Sequence, residues 1–185
     1  MNIIAGEKRG ARLASLEGRT TRPTAIRTRE AVFNLISGGR FGRPLPGAVV
    51  IDLFAGTGAL GLEALSRGAS AASFIEKDNR ALTVLRQNIT KLGYQQKCLV
   101  MAGDLTTGLA YHGEPAQLIF CDPPYDSGLA DTALHSLAAQ KALSPEALVI
   151  VETRKNETPQ LPEMFAPADT RRYGMAQISL FFYRG

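Results

Sequence analysis

A chain of 185 residues, 45% of them hydrophobic, is long enough to bury the core of one substantial domain and too apolar for an intrinsically disordered protein. No stretch has the roughly 18 consecutive apolar residues of a membrane span, and the first residues lack a signal-peptide pattern, so we expect a cytoplasmic protein. The net charge of +4 is uneven, because residues 1–43 hold nine Lys and Arg against three acids, and the remainder twelve against fourteen. This basic amino-terminal segment indicates a polyanionic partner.

Two cysteines and two histidines argue against several kinds of site. Cys98 and Cys121 are expected to be reduced thiols, as is usual in a cytosolic chain. His112 and His135 lie in no metal-ligand spacing and in no arrangement typical of a catalytic triad. We therefore expect neither a metal centre nor a hydrolase triad.

The first 45 residues predict a short hairpin followed by a helix. Residues 2–5 are apolar and predict a short strand, after which the chain turns back at Gly10. Thr24 is the predicted N-cap of a helix that ends at Gly38. We interpret residues 1–45 as a small basic extension of a larger domain.

From residue 46 onward the sequence alternates between apolar runs and amphipathic segments. The predicted strands cover 48–53, 72–75, 98–101, 117–121 and 148–151, and the predicted helices cover 59–66, 79–92 and 129–139. Two further extended segments, 169–174 and 176–183, meet at Gly174. The pattern predicts one α/β domain over 46–185, with a doubly wound, mostly parallel sheet that ends in an antiparallel hairpin.

A glycine-rich loop follows the first predicted strand. Gly56, Gly58 and Gly61 form a G-x-G-x-x-G motif, which permits a tight turn and the close approach of a ligand to the backbone. Glu76 ends the next strand, where a carboxylate can accept hydrogen bonds from both hydroxyls of a ribose. This arrangement suits NAD and S-adenosylmethionine alike. Asp52 favours S-adenosylmethionine, because a carboxylate here would repel a pyrophosphate and attract an ammonium and a sulfonium.

Asp104 follows the third predicted strand. It is placed to accept from the amine of an adenine, or to cap a helical turn that begins at Leu105, and one residue can do both.

A second loop, Asp122-Pro123-Pro124-Tyr125, follows the fourth predicted strand. The two prolines fix the backbone and remove two amide donors, which leaves acceptors beside the Asp122 carboxylate. Such a cluster suits an exocyclic amine, and Tyr125 offers a face on which a base can stack. Acceptors around the amine direct its lone pair and stabilise the positive charge that develops on nitrogen. The two loops together predict methyl transfer to a nucleobase, which must be flipped out if it lies in a helix.

Several segments resemble the bacterial 16S ribosomal RNA guanine-N2 methyltransferases of the RsmD type. They are Gly6–Leu13, Arg22–Thr24, Arg27–Asn34, Asp52–Ala69 and Asp122–Tyr125. The last motif is shared with many amino-methyltransferases, whereas the second and third are more specific. The sequence departs from the family at Ala25-Ile26, where relatives often carry a polar pair with Asp.

The resemblance implies a class I, Rossmann-like methyltransferase fold with a seven-stranded sheet, and transfer of a methyl group to the N2 amine of a guanine in 16S rRNA of the small ribosomal subunit. It implies that Asp122, Pro123, Pro124 and Tyr125 are the catalytic residues. The residues expected to bind S-adenosylmethionine are Asp52, Phe54, Ala55, Gly56, Thr57, Gly58, Glu76, Lys77, Asp104 and Leu105, with Thr24 and Arg27 from the extension. The residues expected to bind RNA are Lys8, Arg9, Arg12 and Arg22. We expect a monomer.

Four other functions are compatible with parts of the sequence. A DNA adenine-N6 methyltransferase is the nearest, but such enzymes usually carry a sizeable target-recognition region. A protein-glutamine methyltransferase would have Asn where this chain has Asp122. An NAD-dependent oxidoreductase is supported by the glycine loop alone, and a catalytically silent RNA-binding module by the charge alone. For the reaction itself, the sequence leaves two acceptors for the proton of the amine, Asp122 and solvent.

Overall fold

The computed structural model describes residues 1–16, 23–42, 44–124 and 127–185, and the side chains of residues 23–25 lie outside that description. The α-helices in these ranges are α1 (Pro23–Ser37), α2 (Ala59–Ser66), α3 (Asn79–Leu92) and α4 (Leu129–Ala139). The strands in the same ranges are β1 (Val49–Leu53), β2 (Ala71–Glu76), β3 (Cys98–Ala102), β4 (Ala116–Cys121), β5 (Leu143–Arg154), β6 (Phe165–Tyr173) and β7 (Ala176–Tyr183).

In the described part of the chain the strands form one seven-stranded sheet in the order β3-β2-β1-β4-β5-β7-β6. Strands β1 to β5 run parallel, β7 runs antiparallel to β5, and β6 runs antiparallel to β7. The inner parallel strands are apolar at nearly every position because core layers cover both faces of the sheet. The predicted sheet with its closing antiparallel hairpin is confirmed.

The hydrophobic core lies in two layers on opposite faces of the sheet. One layer contains side chains of α1, α2 and α3, and here Phe33 packs on Phe120 of β4 with ring centroids 5.5 Å apart. The other layer contains the apolar side of α4, with Leu134 and Leu137 fully buried. Ile3 of the extension belongs to the first layer. The division of the chain at residue 45 stays a prediction.

Most predicted elements form close to the predicted residues. Helices α2, α3 and α4 and strand β7 have the predicted bounds. Strand β5 is longer than predicted, because Leu143 also pairs with β4, and a register shift between Ala116 and Leu118 takes up the intervening residues. Strand β6 begins at Phe165 rather than 169. It includes Pro167, which is tolerated because β6 is an edge strand.

The predicted N-cap of α1 is wrong. The helix begins at Pro23, so Thr24 is its second residue and not the residue before it. Proline suits the first position of a helix because its φ is already helical and its missing N–H would have no partner there.

Neither cysteine is in a disulfide. Cys98 and Cys121 are free, and burial raises the pKa of the Cys121 thiol well above its ordinary value. No helix within the described ranges has the length and apolar character needed to cross a bilayer.

The extension is held against α2 by one buried carboxylate. Met1 to Leu13 forms a short antiparallel hairpin, with a bridge between Asn2 and Arg12. The backbone N–H groups of Ile4 and Ala5 donate to the two oxygens of Glu63, at 2.7 and 3.0 Å. Glu63 is fully buried on α2 and also pairs with Arg67, whose Nε lies 2.7 Å from Oε1. The predicted hairpin therefore forms, and its position depends on Glu63.

We expect Glu63→Ala to lower the free energy of unfolding by about 3–5 kcal/mol, because it leaves two backbone donors and Arg67 without their acceptor. Urea denaturation measures this quantity. Glu30→Ala is the matched control on an exposed helical position, with an expected change within about 0.5 kcal/mol. Equal effects of the two substitutions would contradict the role of Glu63.

Candidate active site

The loop after β1 has a strained backbone. Phe54 adopts a left-handed conformation with φ 58°, and Gly56 and Gly58 follow with φ 55° and 82°. A positive φ is unfavourable for a bulky residue and persists where the surrounding structure holds it, often at ligand sites. The backbone N–H of Ala55 donates to the carbonyl of Ile75 at 3.1 Å, which ties the loop to the end of β2.

Asp52 lies behind this loop and is nearly inaccessible, with 2% of its surface exposed. Its Oδ2 accepts from the backbone N–H of Gly61 at 2.8 Å, in the first turn of α2. Burial raises the pKa of Asp52 to about 7, the Gly61 N–H opposes this rise, and the charge of Glu76 adds to it. Asp52 therefore anchors the amino terminus of α2 and contributes a carboxylate that titrates near neutral pH.

The three glycines of the motif have different roles. A Cβ on Gly58 would lie 2.3 Å from a methyl group of Leu85, and a Cβ on Gly61 would lie 2.4 Å from the ring of Phe74. Both positions therefore require glycine for packing within the fold. A Cβ on Gly56 would meet no atom within 4 Å. Of the three, Gly56 is the one whose missing side chain leaves space open to a ligand.

Glu76 joins the ends of β1 and β2. Its Oε2 accepts from the N–H of Gly56 at 2.7 Å, and its Oε1 accepts from the N–H groups of Lys77 and Asp78, each at 2.8 Å. A carboxylate offers about four acceptor positions, so three are used. One ribose hydroxyl can donate a hydrogen bond to the remaining acceptor position of Glu76. A second hydroxyl could do so only if one backbone N–H gave up its hydrogen bond to the carboxylate.

Asp104 is the predicted cap after β3. Its Oδ1 accepts from the N–H and the hydroxyl of Thr106, at 2.9 and 2.6 Å, and caps the 3₁₀ turn Leu105–Thr107. Its Oδ2 lies 2.9 Å from Nζ of Lys77. The hydrogen bond from the Thr106 hydroxyl is the main cause that lowers the pKa of Asp104. The capping prediction is confirmed, whereas contact of Asp104 with an adenine amine stays a prediction.

Asp122 follows β4 at the same edge of the sheet. Leu53 of β1 pairs with Cys121, so Phe54 and Asp122 leave neighbouring strands side by side. The side chain of Asp122 reaches solvent, yet protein surrounds it on most sides, as in a concave part of the surface. Of the prolines that follow, Pro123 is buried and Pro124 exposed. Tyr125 lies outside the described residues.

Glu152 is a neighbour of Asp122 that the sequence analysis missed. Val151 of β5 pairs with Cys121, so Glu152 and Asp122 follow directly at adjacent positions. Burial raises the pKa of Asp122 well above its ordinary value, and the charges of Glu152 and Asp52 raise it further. The signal was present in the sequence, because Glu152 directly follows the fifth predicted strand as Asp122 follows the fourth.

Asn88 is a second residue that the sequence analysis missed. It is fully buried on α3, and its Oδ1 accepts from the N–H of Ala14 at 2.7 Å. Its Nδ2 donates to the carbonyls of Thr57, at 3.0 Å, and of Ala14, at 3.2 Å. Asn88 thus ties the extension to the glycine loop. A polar residue on the apolar stripe of a predicted helix was its signal.

Two of the predicted RNA-binding residues, Lys8 and Arg9, lie away from this site. Helix α2 runs back from the glycine loop, so its last residues lie at the amino ends of the strands. The N–H of Lys8 donates to the hydroxyl of Ser66 at 3.0 Å, which places Lys8 and Arg9 at that opposite edge. Arg12 lies on the hairpin strand that pairs with Asn2.

Residues of α1 and the segment before it complete the predicted set. Arg27 is exposed near the start of α1. For Thr24 the structure describes the backbone alone, in the first turn of the helix, and Arg22 lies outside the described residues.

Comparison with known proteins identifies relatives over nearly the whole chain. Residues 1–182 match a protein-family model described as Conserved hypothetical protein 95. Ribosomal RNA small subunit methyltransferase D of Escherichia coli (strain K12) is 36% identical over 163 residues, 88% of this chain and 79% of that protein. The protein of the same name from Haemophilus influenzae is 31% identical and covers 98% and 93% of the two chains.

Solved structures agree on the architecture. The structure of yhhF from Escherichia coli superposes with a TM-score of 0.84 at 33% identity, over 100% of this chain and 98% of that one. The N-methyltransferase NodS from Bradyrhizobium japonicum WM9, solved in complex with S-adenosyl-L-homocysteine, superposes with a TM-score of 0.67 over 89% and 90%. At 13% identity the latter likeness concerns the fold alone. The class I methyltransferase fold that the sequence implied is confirmed.

We expect Gly56→Ala and Gly58→Ala to separate ligand binding from folding. Each places alanine at a positive φ, which costs about 1–2 kcal/mol. Gly56→Ala adds no clash within the protein and should weaken S-adenosylmethionine binding at least tenfold, whereas Gly58→Ala drives a methyl group into Leu85 and should lose clearly more stability. Calorimetric titration and urea denaturation measure the two effects. Unchanged cofactor affinity in Gly56→Ala would contradict the assignment of the open space to the ligand.

The raised pKa of Asp52 predicts a pH-dependent stability. Because its pKa is about 7 in the folded state against an ordinary 3.8, the folded state binds more protons than the unfolded state between these values. Asp52 therefore destabilises the fold progressively as pH rises through this window. The substitution Asp52→Asn introduces an amide that stays neutral and keeps an acceptor for the Gly61 N–H. We expect the stability difference, variant minus wild type, to increase from pH 5 to pH 8 in urea denaturation, and a decrease would refute this.

Proposed function

Since the chain belongs to the family described as Conserved hypothetical protein 95, we propose that it transfers a methyl group from S-adenosylmethionine to the exocyclic N2 amine of a guanine in 16S rRNA of the small ribosomal subunit. The names of the relatives with 36% and 31% identity support ribosomal RNA of the small subunit as the substrate. The Asp122 loop and its resemblance to guanine-N2 methyltransferases support the guanine amine.

One observation carries the proposal. The register between Leu53 and Cys121 brings the glycine loop and the Asp122 loop to adjacent positions on one edge of the sheet. A cofactor that lies over Gly56 and reaches Glu76 therefore has its reactive end beside Asp122. Adjacency of this kind is what direct transfer requires, because the donor and the acceptor must be aligned within a few ångströms.

The residues present fit S-adenosylmethionine. Gly56 leaves the space that a Cβ would fill, Glu76 retains one acceptor for a ribose hydroxyl, and Asp104 offers an oxygen shared with Lys77. When bound, S-adenosylmethionine supplies an electrophilic methyl group on a positively charged sulfur. Asp52 and Asp122 provide the negative field that such a cation needs, and the same field would repel a pyrophosphate.

Asp122 has three tasks in the proposed reaction. As an acceptor it holds the guanine NH₂ and turns the nitrogen lone pair toward the methyl group. Its charge stabilises the positive charge that develops on nitrogen when the new N–C bond forms. After transfer it is in position to receive the proton that the nitrogen loses, with Glu152 beside it to raise its affinity for protons.

Methyl transfer to small ribosomal subunits that lack the modification tests the proposal. The protein is incubated with labelled S-adenosylmethionine, and the RNA is digested to nucleosides. We expect label in N2-methylguanosine, and a loss of about 10²–10³-fold in kcat for Asp122→Ala with cofactor affinity retained. Glu114→Ala, which removes an exposed acid elsewhere, should remain fully active.

Two results would contradict the proposal, each in a different part. Label in adenine of DNA, with none in ribosomal RNA, would identify an adenine-N6 enzyme and overturn the substrate. Label in N2-methylguanosine with full activity of Asp122→Ala would keep the reaction and reject the role of Asp122.

A further inference from the structure

The turn between β6 and β7 lies at the same edge of the sheet as Asp122. Arg154, the last residue of β5, pairs with Ala176, and the N–H of Lys155 donates to the carbonyl of Met175 at 2.8 Å. Because β5 runs parallel to β4, its end lies at the carboxyl edge, two residues beyond Glu152. The turn around Gly174 therefore lies at the same edge as the position proposed for the guanine, two strand positions from β4.

The residues at this place are strongly cationic. The two segments that meet here, 154–155 and 171–176, contain four basic residues and no acid. We call these residues the basic rim; they are Arg154, Lys155, Arg171 and Arg172. All four are exposed.

Acidic residues lie close to some members of the basic rim. Oδ2 of Asp169 lies 3.0 Å from Arg171 and 2.9 Å from Arg40, so it shares its charge between two guanidinium groups. Glu157 accepts from the backbone N–H of Arg154. The Nε of Arg172 donates to the neutral side chain of Gln177 at 3.3 Å. Lys155 and Arg172 are therefore the members whose removal disturbs the fold least.

An exposed apolar side chain accompanies the charges. Among the described residues two large hydrophobic side chains are exposed, Met175 at 64% and Ile26 at 37%. Met175 is in the turn itself. Met175 therefore lies at the edge that holds Asp122.

We propose that the β6–β7 turn, with the end of β5, is an RNA-docking surface of this enzyme: the basic rim contacts phosphates and Met175 packs against a base or ribose beside the target guanine. This inference rests on the proposed function. A guanine held at Asp122 keeps its flanking phosphates at this edge, and clustered Arg and Lys are suited to them. A long, polarisable side chain such as Met175 makes favourable contacts with aromatic rings.

RNA explains the combination better than a protein partner does. A protein interface would be expected to have a continuous apolar centre, whereas here one apolar side chain stands among four cations. The surface also adjoins the place where a base must enter. The basic turn with Lys8 and Arg9 lies at the opposite edge and cannot hold the same nucleotides as Asp122.

The test compares Lys155→Ala/Arg172→Ala with Lys91→Ala/Lys141→Ala. Both double variants remove two positive charges from exposed positions, but Lys91 ends α3 and Lys141 precedes β5, so both lie near the amino ends of the strands. Binding to a 16S rRNA fragment that the wild type methylates is measured at several salt concentrations, together with S-adenosylmethionine affinity and kcat at saturating RNA.

For the rim variant we expect RNA affinity about tenfold or more weaker at low salt, and a slope of log affinity against log salt that is lower by about two. Cofactor affinity and kcat should not change. The control should bind RNA within about twofold of wild type with the same slope. Met175→Ala should weaken binding without a change of slope, because it removes contact area and no charge.

Three results would overturn the proposal. Wild-type RNA affinity and slope in the rim variant, with a wild type that methylates rRNA, would reject this surface and leave the proposed function intact. Equal weakening in rim and control variants would show an effect of net charge and not of a surface. A wild type that neither binds nor methylates rRNA would remove the proposed function, and this inference with it.

Discussion

The carboxylate of Asp52, buried against the first turn of α2, is the interaction on which the site depends. Its bond to the Gly61 N–H fixes where α2 begins, and so fixes the path of the glycine loop between β1 and that helix. The contact requires glycine at 61, since a Cβ there would lie 2.4 Å from Phe74 and 3.2 Å from the Asp52 oxygen itself. Packing against Phe74 and the hydrogen bond to Asp52 therefore both favour glycine at position 61.

The burial of Asp52 and the repulsion between neighbouring carboxylates destabilise the site when no ligand is bound. Asp52, Glu76, Asp122 and Glu152 lie along one edge of the sheet, and the proton affinities of Asp52 and Asp122 are raised by burial and by the charges of their acidic neighbours. A positively charged ligand reverses this effect, because it favours the ionised carboxylates. In the proposed reaction, Asp122 is therefore best able to accept from an amine once the cation is beside it. Cofactor binding and the readiness of the acceptor are coupled through charge.

The sequence predicted the elements that depend on local signals. Apolar runs located the buried strands, and Gly93 marks the end of α3 with the left-handed C-cap that the structure contains. It predicted less well where a partner strand decides the outcome. The residues that extend β5 and β6 beyond the predicted strands show no strand pattern in the sequence. They pair because β4 and β7 offer free backbone groups beside them. Thr24 was misplaced because proline itself can begin a helix.

The candidate site divides in a similar way. Strand-end acids such as Asp52, Glu76 and Asp122 could be predicted, because a motif and a strand end place them without knowledge of the strand order. Glu152 and Asn88 could not be assigned roles so directly. Glu152 matters because β5 is the neighbour of β4, and Asn88 because a segment 74 residues away returns to it. The charge along the sequence does not show where Lys8 and Arg9 lie, since the direction of α2 places them at the far edge; their role in RNA binding stays a prediction.

Because β7 runs antiparallel to β5, the part of the edge beyond β4 differs from the part that holds Gly56 and Glu76. On the cofactor half, each parallel strand ends in a loop that leads to a helix, so acids and backbone N–H groups gather there. On the other half β7 enters the sheet from the carboxyl edge, so a tight turn stands where a strand end and its helix would otherwise be. A turn exposes its side chains more than a helix-covered loop does. The strand order therefore allows Arg172 and Met175 to lie at the same edge as Asp122, and it separates these exposed residues from Asp122 by the width of two strands.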